Sequence, residues 1–175
     1  MKDLTPRSPN HDERPAGEPV RLIVVHAISL PPDQFGGPGV EQLFTNTLDP
    51  QAHPYYATIQ HLRVSAHYFI RRDGETICFV DPARRAWHAG VSCWNGRERC
   101  NDFSIGIELE GCDSMPFEPA QYERLAVLIV ELERRYPIEA VVGHSDIAPG
   151  RKTDPGPFFD WKRLDVMCEQ RRASC

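Results

Sequence analysis

The sequence predicts an α/β fold, a central mixed β-sheet flanked by helices. Two patterns carry this expectation. Apolar or alternating runs at Arg21–Val25, Ser104–Leu109 and Ile138–Val142 have strand character, and stretches with helical spacing fall between and after them. The chain is also long enough, at 175 residues with 41% hydrophobic content, to bury one substantial core.

In order along the chain, residues 1–19 read as a flexible tail, because Pro6, Pro9, Pro15 and Pro19 sit among many charges. The remainder, 20–175, reads as a single folded domain. Arg21–Val25 is a strand that delivers His26 at its end. Ser29–Gly39 is rich in proline and glycine and reads as a loop, and Val40–Thr47 as a short helix. Val64–Ile70 and Thr76–Val80 form a hairpin, joined through Arg72-Asp73-Gly74-Glu75 with its Asp-Gly turn signal. Residues 82–102 are loop-like. Ser104–Leu109 alternates: Ile105, Ile107 and Leu109 face one way, and Gly106, Glu108 and Glu110 the other. A helix follows with Pro119 near its first position. Leu125, Leu128, Ile129 and Leu132 form its buried stripe, and Tyr136-Pro137 ends it. Ile138–Val142 is a strand that delivers His144, and Asp160 caps a last helix carrying Trp161, Leu164 and Met167.

Composition excludes several classes of function. A net charge of −5 argues against general nucleic-acid binding, since phosphate binders are usually basic. No apolar run approaches the ~20 residues that span a bilayer. The polar, Pro-rich N-terminus lacks the apolar stretch of a signal peptide, so the expected location is the cytoplasm. The six cysteines, Cys78, Cys93, Cys100, Cys112, Cys168 and Cys175, include no C-x-x-C pair and are expected as free thiols in a reducing compartment.

The chemistry concentrates in Gly143–Pro157, GHSDIAPGRKTDPGP, and in the distant His26. Two histidines and one carboxylate can hold zinc and leave the open fourth position of a catalytic site. His26 and His144 each follow a strand, and ligand groups gather at strand ends in such sheets. The carboxylate is Asp154 or Asp146: Asp154 lies on a loop stiffened by Pro155-Gly156-Pro157 but also reads as a turn residue, and Asp146 is nearer to His144. Lys152 can steady an oxyanion beside the metal. Glu108, with Glu110 as competitor, is the candidate base, since water activated by zinc still needs a proton acceptor. Trp87 suits stacking on a sugar or covering a peptide, or else packs in the core. Arg63 and Arg99 suit bidentate contacts to substrate carboxylates, unless they are merely solvated. His67 reads as a structural residue, and His11, His53 and His61 have no grouping that suggests chemistry.

Five segments make the chain resemble a known family: SLPPDQFGGPGVEQLFTNTLDPQAHP, HLRVSAHYFIRRDGE, RAWHAGVS, GRERCNDFSIGIELEG and GHSDIAPGRKTDPGPFFDW. It is similar to the 1,6-anhydro-N-acetylmuramyl-L-alanine amidases, within the type 2 N-acetylmuramoyl-L-alanine amidases and the peptidoglycan-recognition superfamily. The likeness runs from about Arg21 to Trp161. It implies a zinc amidase domain over 20–175 with Zn2+ in a surface groove, held by His26, His144 and Asp154. It further implies a catalytic pair, Glu108 and Lys152, and substrate contacts from Arg63, Trp87 and Arg99. The implied reaction cuts the amide between the lactyl group of anhydro-N-acetylmuramic acid and L-alanine during cell-wall recycling, with an influence on β-lactamase induction. The implied partner is a small muropeptide, with no nucleic acid or membrane, and the chain is expected to act as a monomer. Where the family has asparagine after the first zinc histidine, this chain has Ala27, which offers no side-chain hydrogen bond. A lost contact of that kind is worth on the order of 1 kcal/mol. Two rival functions remain: a muropeptide-binding module that does not cleave, whose known members typically lack a complete zinc triad, and a structural zinc protein, which needs a fourth ligand that no Cys or His is placed to supply.

Overall fold

A computed structural model describes residues 8–174. The first seven residues of the expected tail, and Cys175 with its expected free thiol, lie outside the described residues. The elements in chain order are β1 (His11–Asp12), β2 (Leu22–Ile28), α1 (Gly39–Phe44), α2 (Pro54–Ile59), β3 (Tyr68–Ile70), β4 (Thr76–Cys78), β5 (Arg85–Ala86), β6 (Cys93–Trp94) and β7 (Arg97–Glu98). Then come β8 (Ser104–Glu110), α3 (Pro119–Arg135), β9 (Ala140–Gly143), α4 (His144–Ile147) and α5 (Trp161–Ala173).

Five strands make the central sheet in the order β4-β3-β8-β2-β9. β2 runs parallel to β8 and β9, β3 parallel to β8, and β4 antiparallel to β3, so the sheet is mixed as the sequence predicts. The alternation along β2 and β8 sends Ile23, Val25, Ile105, Ile107 and Leu109 to one face, where they meet Leu125, Ile129 and Leu132 of α3 and Leu164 of α5. Fully burying such a side chain contributes roughly 1.5–3 kcal/mol. On the opposite face Leu22 and Val24 meet Ala89, Cys100, Phe103 and Ile147.

The helix ends follow the expected chemistry. In α3 the backbone N–H of Glu118 donates to Gln121 Oε1 at 3.0 Å. The same Gln121 amide reaches the carbonyls of Ile70 (3.3 Å) and Glu110 (3.0 Å), tying the helix to two strand ends. Asp160 caps α5 by accepting from Arg163 N–H at 2.9 Å. The predicted hairpin is present but shorter, as β3 and β4. Cys78, Cys93, Cys100, Cys112 and Cys168 are free thiols.

Two expectations need correction. His26 does not end its strand: β2 continues to Ile28, because β8 pairs with it as far as Glu110. The segment from Ser8 to Pro19 does not behave as a tail. Ser8 and Asn10 are buried, β1 pairs with β5, and Arg14 places its guanidinium against the carbonyls of Pro82, Asn101, Asp102 and Ser104 at 2.9–3.2 Å. Proline and charge predict disorder when order must come from apolar burial. Here it comes from polar side chains that satisfy backbone carbonyls: Ser8 that of Phe44, Asn10 that of Val64, and Arg14 those of the 82–104 stretch.

Candidate metal centre and groove

Strand register brings the chemistry together. Val25 pairs with Gly143, the last residue of β9, so His26 within β2 and His144 at the start of α4 are each one residue beyond that pair of neighbouring parallel strands. On the other side of β2, His26 pairs with Glu108. Three candidate side chains thus lie at one level across β8, β2 and the end of β9. The loop after α4 then returns so that Ser145 N–H donates to the Asp154 carbonyl at 3.0 Å, setting Asp154 beside both histidines.

The candidate ligand atoms form a small triangle. His26 Nδ1 and His144 Nδ1 are 2.9 Å apart, and Asp154 Oδ2 lies 3.3 Å from the first and 3.0 Å from the second. Ligands about 2.0–2.1 Å from a tetrahedral zinc are separated by roughly 3.3 Å, so the residues present fit that ion. Both histidines are buried, and the outer nitrogen of each has a partner: His26 Nε2 is 2.9 Å from His88 Nδ1, and His144 Nε2 is 3.1 Å from the Ala89 carbonyl oxygen. Burial pulls the His26 imidazole down to about 4, against the opposing pull of Asp154. Burial works against the charge on Asp154, but hydrogen bonds with His144 and His26 outweigh it and hold the carboxyl well below its usual range.

Asp146 is not in the triangle. Its Oδ2 accepts from Gly143 N–H at 2.7 Å and so serves the start of α4. Glu110 is committed elsewhere too, accepting from Gly36 N–H at 2.6 Å and Arg72 N–H at 3.2 Å. Glu108 is different: it is buried, it lines the groove, and its Oε2 is without a hydrogen-bond partner. Burial first, and the nearby Asp154 charge second, raise its proton affinity well above that of an ordinary carboxylate, with Lys152 opposing. Lys152 is exposed and lines the same groove.

The groove measures about 540 Å3. It is lined by His144, Asp154, Glu108 and Lys152, and by apolar residues of α1, α2 and the loop after β2, including Leu30, Leu43, Phe44 and Ile59. Trp87 forms part of its wall, and its indole N–H donates to Asp12 Oδ1 at 3.2 Å. Ala27 lines it as well. The two arginines are not among the residues that line it. Arg63 is exposed and donates to the carbonyls of Gln60 and Leu62, both at 3.1 Å. Arg99 lies on a separate hollow with Arg151 and Ile147, its side chain 73% exposed and 3.3 Å from Asp102.

Sequence reasoning passed over His88 and the polar residues of the N-terminal segment. His88 has no neighbour in sequence that marks it. The available signal was Gly106, since glycine inside a buried strand often marks the close approach of another group. A Cβ built on Gly106 would collide with the His88 ring. Asp12 and Arg14 left no periodic signal at all. His67 is structural, as expected: its Nδ1 accepts from Gly106 N–H at 2.9 Å.

The chain is similar to known proteins in sequence and in fold. Residues 16–157 match the N-acetylmuramoyl-L-alanine amidase family. The chain is 60% identical over 162 residues to the 1,6-anhydro-N-acetylmuramyl-L-alanine amidase AmpD of Enterobacter cloacae, covering 91% of this chain and 87% of that one. Its fold is similar to the crystal structure of a Se-Met AmpD derivative, with TM-score 0.90 and 59% identity over 91% of this chain and 90% of the other. It is also similar to the Escherichia coli amidase AmiD in complex with anhydro-N-acetylmuramic acid-L-Ala-D-gamma-Glu-L-Lys, with TM-score 0.63 and 34% identity over 89% of this chain and 60% of that one.

Proposed function

Because the chain belongs to the N-acetylmuramoyl-L-alanine amidase family, we propose that it is a zinc-dependent amidase of cell-wall recycling. Its substrate is a muropeptide, and the bond cut joins the lactyl group of (1,6-anhydro-)N-acetylmuramic acid to L-alanine of the stem peptide. The observation that carries this reading is the 2.9–3.3 Å triangle of His26, His144 and Asp154, with Glu108 in register beside His26.

Zinc, when bound by those three residues, supplies a Lewis acid that polarises the amide carbonyl and makes water a better nucleophile. Glu108 takes the proton of the attacking water and returns it to the leaving amine, a task suited to a carboxylate of raised proton affinity. Its Oε2, without a partner in the groove wall, is free for that exchange. Lys152 places an ammonium at the same groove, where it steadies negative charge developing on the carbonyl oxygen. Trp87, fixed through Asp12, offers a flat apolar wall to the sugar or peptide. Arg63 and Arg99 capture carboxylates of the stem peptide from the rim.

Its place of action in this reading is the cytoplasm, as a monomer on a diffusible fragment. Among the described residues no helix is long and apolar enough to cross a membrane. In bacteria with an inducible β-lactamase, removal of a signalling muropeptide would lower induction. The test is mass spectrometry of anhydro-muramyl tripeptide incubated with the protein, with and without chelator and added zinc. Release of free tripeptide and anhydro-muramic acid, lost with chelator and restored by zinc, is expected. Intact substrate with zinc bound overturns the amidase reading and leaves a binding protein.

A further inference from the structure

We propose that the dipeptide His88-Ala89 is a single clamp that orients both histidine ligands, and that His88 is a positioning residue for metal binding. The inference rests on the metal site described above. It starts from an accounting of protons. His144 Nε2 faces the Ala89 carbonyl oxygen at 3.1 Å, closer than Arg151 Nη2 at 3.5 Å, which itself donates to that carbonyl at 2.7 Å; a carbonyl can only accept, so Nε2 carries the proton and Nδ1 is left free for a metal.

The other histidine is fixed through a longer relay. His26 Nε2 meets His88 Nδ1 at 2.9 Å, His88 Nε2 meets Ser104 Oγ at 3.1 Å, and Ser104 Oγ donates to the Cys100 carbonyl at 2.6 Å. The last link sets the direction of the rest. With its proton committed to a carbonyl, the Ser104 hydroxyl accepts from His88 Nε2–H. His88 Nδ1 then has no proton and accepts from His26 Nε2–H. Every donor in the chain has one acceptor, and His26 Nδ1 is left facing Asp154 and His144.

The two arms are joined at their base. The backbone N–H groups of His88 and Ala89 both donate to Asn101 Oδ1, at 3.1 and 2.8 Å. One side-chain amide therefore sets the ring that serves His26 and the carbonyl that serves His144. Gly106 makes room for the arrangement, since a methyl group there would collide with the His88 ring. Partners of this kind, which orient a metal-binding histidine through its second nitrogen, typically change metal affinity 10- to 100-fold when removed.

The test uses zinc affinity and a magnetic-resonance signature, neither of which depends on turnover. Zinc binding is measured by competition with a chromophoric chelator for the wild-type protein, His88→Phe, which keeps a ring but no polar atom, and His88→Asn, whose Oδ1 can replace the lost acceptor. The expected result is about 10- to 100-fold weaker binding in His88→Phe, with most of it recovered in His88→Asn. Equal zinc affinity in folded His88→Phe and wild type overturns the clamp while leaving the metal site standing. A wild-type protein that takes up no zinc overturns the metal reading and the clamp together. Should His88→Phe fail to fold, the 15N-labelled, zinc-loaded wild-type protein decides alone. A scalar coupling between His26 Nε2 and His88 Nδ1 across their hydrogen bond is expected, and its absence overturns the relay.

Discussion

The two faces of strand β8 are built on opposite principles. On one, Ile105, Ile107 and Leu109 are fully buried against α3 and its neighbours. On the other, Gly106, Glu108 and Glu110 hold a histidine ring, a carboxylate oxygen without a hydrogen-bond partner, and an anchor for the loop at Gly36. The apolar face contributes stability without specifying chemistry. The polar face gives up stability, because a buried carboxylate lacking a full set of hydrogen bonds is costly. What the strand teaches is that adjacent residues, sharing one backbone and one register, can be assigned separately to an apolar core and to a polar groove.

The sharpest way to break this comparison is at Glu108. Glu108→Gln keeps the shape and removes the proton acceptor. Turnover of the muropeptide should fall by about 10²–10⁴-fold, the usual worth of general acid–base catalysis, with zinc stoichiometry unchanged. Thermal stability should hold or rise, since a buried ionisable group is removed. Loss of zinc in this variant would instead make Glu108 a ligand or a structural residue.

The opposite face should respond in the opposite way. Leu109→Ala is expected to cost about 2–5 kcal/mol in urea unfolding, as core truncations do, while zinc affinity of the folded protein stays the same. Gly106→Ala tests the boundary between the two. Its added methyl group meets the His88 ring rather than open space, and overpacking of this sort costs about 1–3 kcal/mol. Zinc affinity should fall along with stability, which Leu109→Ala should not reproduce. A Gly106→Ala protein with wild-type zinc affinity would separate Gly106 from the site.

A good part of this could be read in the residues themselves. The alternation of Ser104–Leu109 assigns the two faces of β8, and the proline at 119 with the stripe at Leu125, Ile129 and Leu132 places α3, because burial leaves a periodic trace. His26, His144 and Glu108 were nameable because strands are legible, but their common level is set by parallel register, which no local pattern encodes. The choice between Asp154 and Asp146 needed the family resemblance. Geometry supports it for a simple reason, since Asp146 is occupied at Gly143 N–H. The N-terminal segment misled because Asn10, Asp12 and Arg14 order themselves through side-chain contacts to residues more than thirty positions away, and such contacts have no period.

Protonation offers a further test on the polar side. Burial, aided by the Arg14 charge, pushes the His67 imidazole down to about 3, so it is neutral in the folded protein. An unfolded histidine takes up its proton near ~6.5. Between those values the unfolded chain holds one more proton, so stability is complete above pH ~6.5 and declines as the pH falls towards ~3. For this one group the loss between pH 7 and pH 5 is about 2 kcal/mol. Urea unfolding of the chelator-treated protein across that range should show at least this decline, and His67→Gln should flatten it by one proton. A wild-type profile without slope would mean that His67 is not held neutral.

The smallest effects are expected at the rim, where the comparison passes from buried to exposed polar groups. Arg63 and Arg99 lie outside the groove lining, and their present partners are weak holds: two backbone carbonyls for Arg63, and a 3.3 Å approach to Asp102 for Arg99. Exposed charges are screened and individually worth little, ~1 kcal/mol or less. That weakness suits capture, because either guanidinium can turn to a substrate carboxylate without stranding a charge behind it: Arg63 holds only carbonyls, and Asp102 keeps Arg85 at 2.6 Å. Arg63→Ala and Arg99→Ala should each raise KM for an anhydro-muramyl tripeptide by roughly 3- to 5-fold, with kcat and stability almost unchanged, as expected for a contact made equally in ground and transition states. The increase should shrink in high salt. If KM stays at the wild-type value in both variants, the arginines have no part in binding, and recognition rests on the groove wall around Trp87.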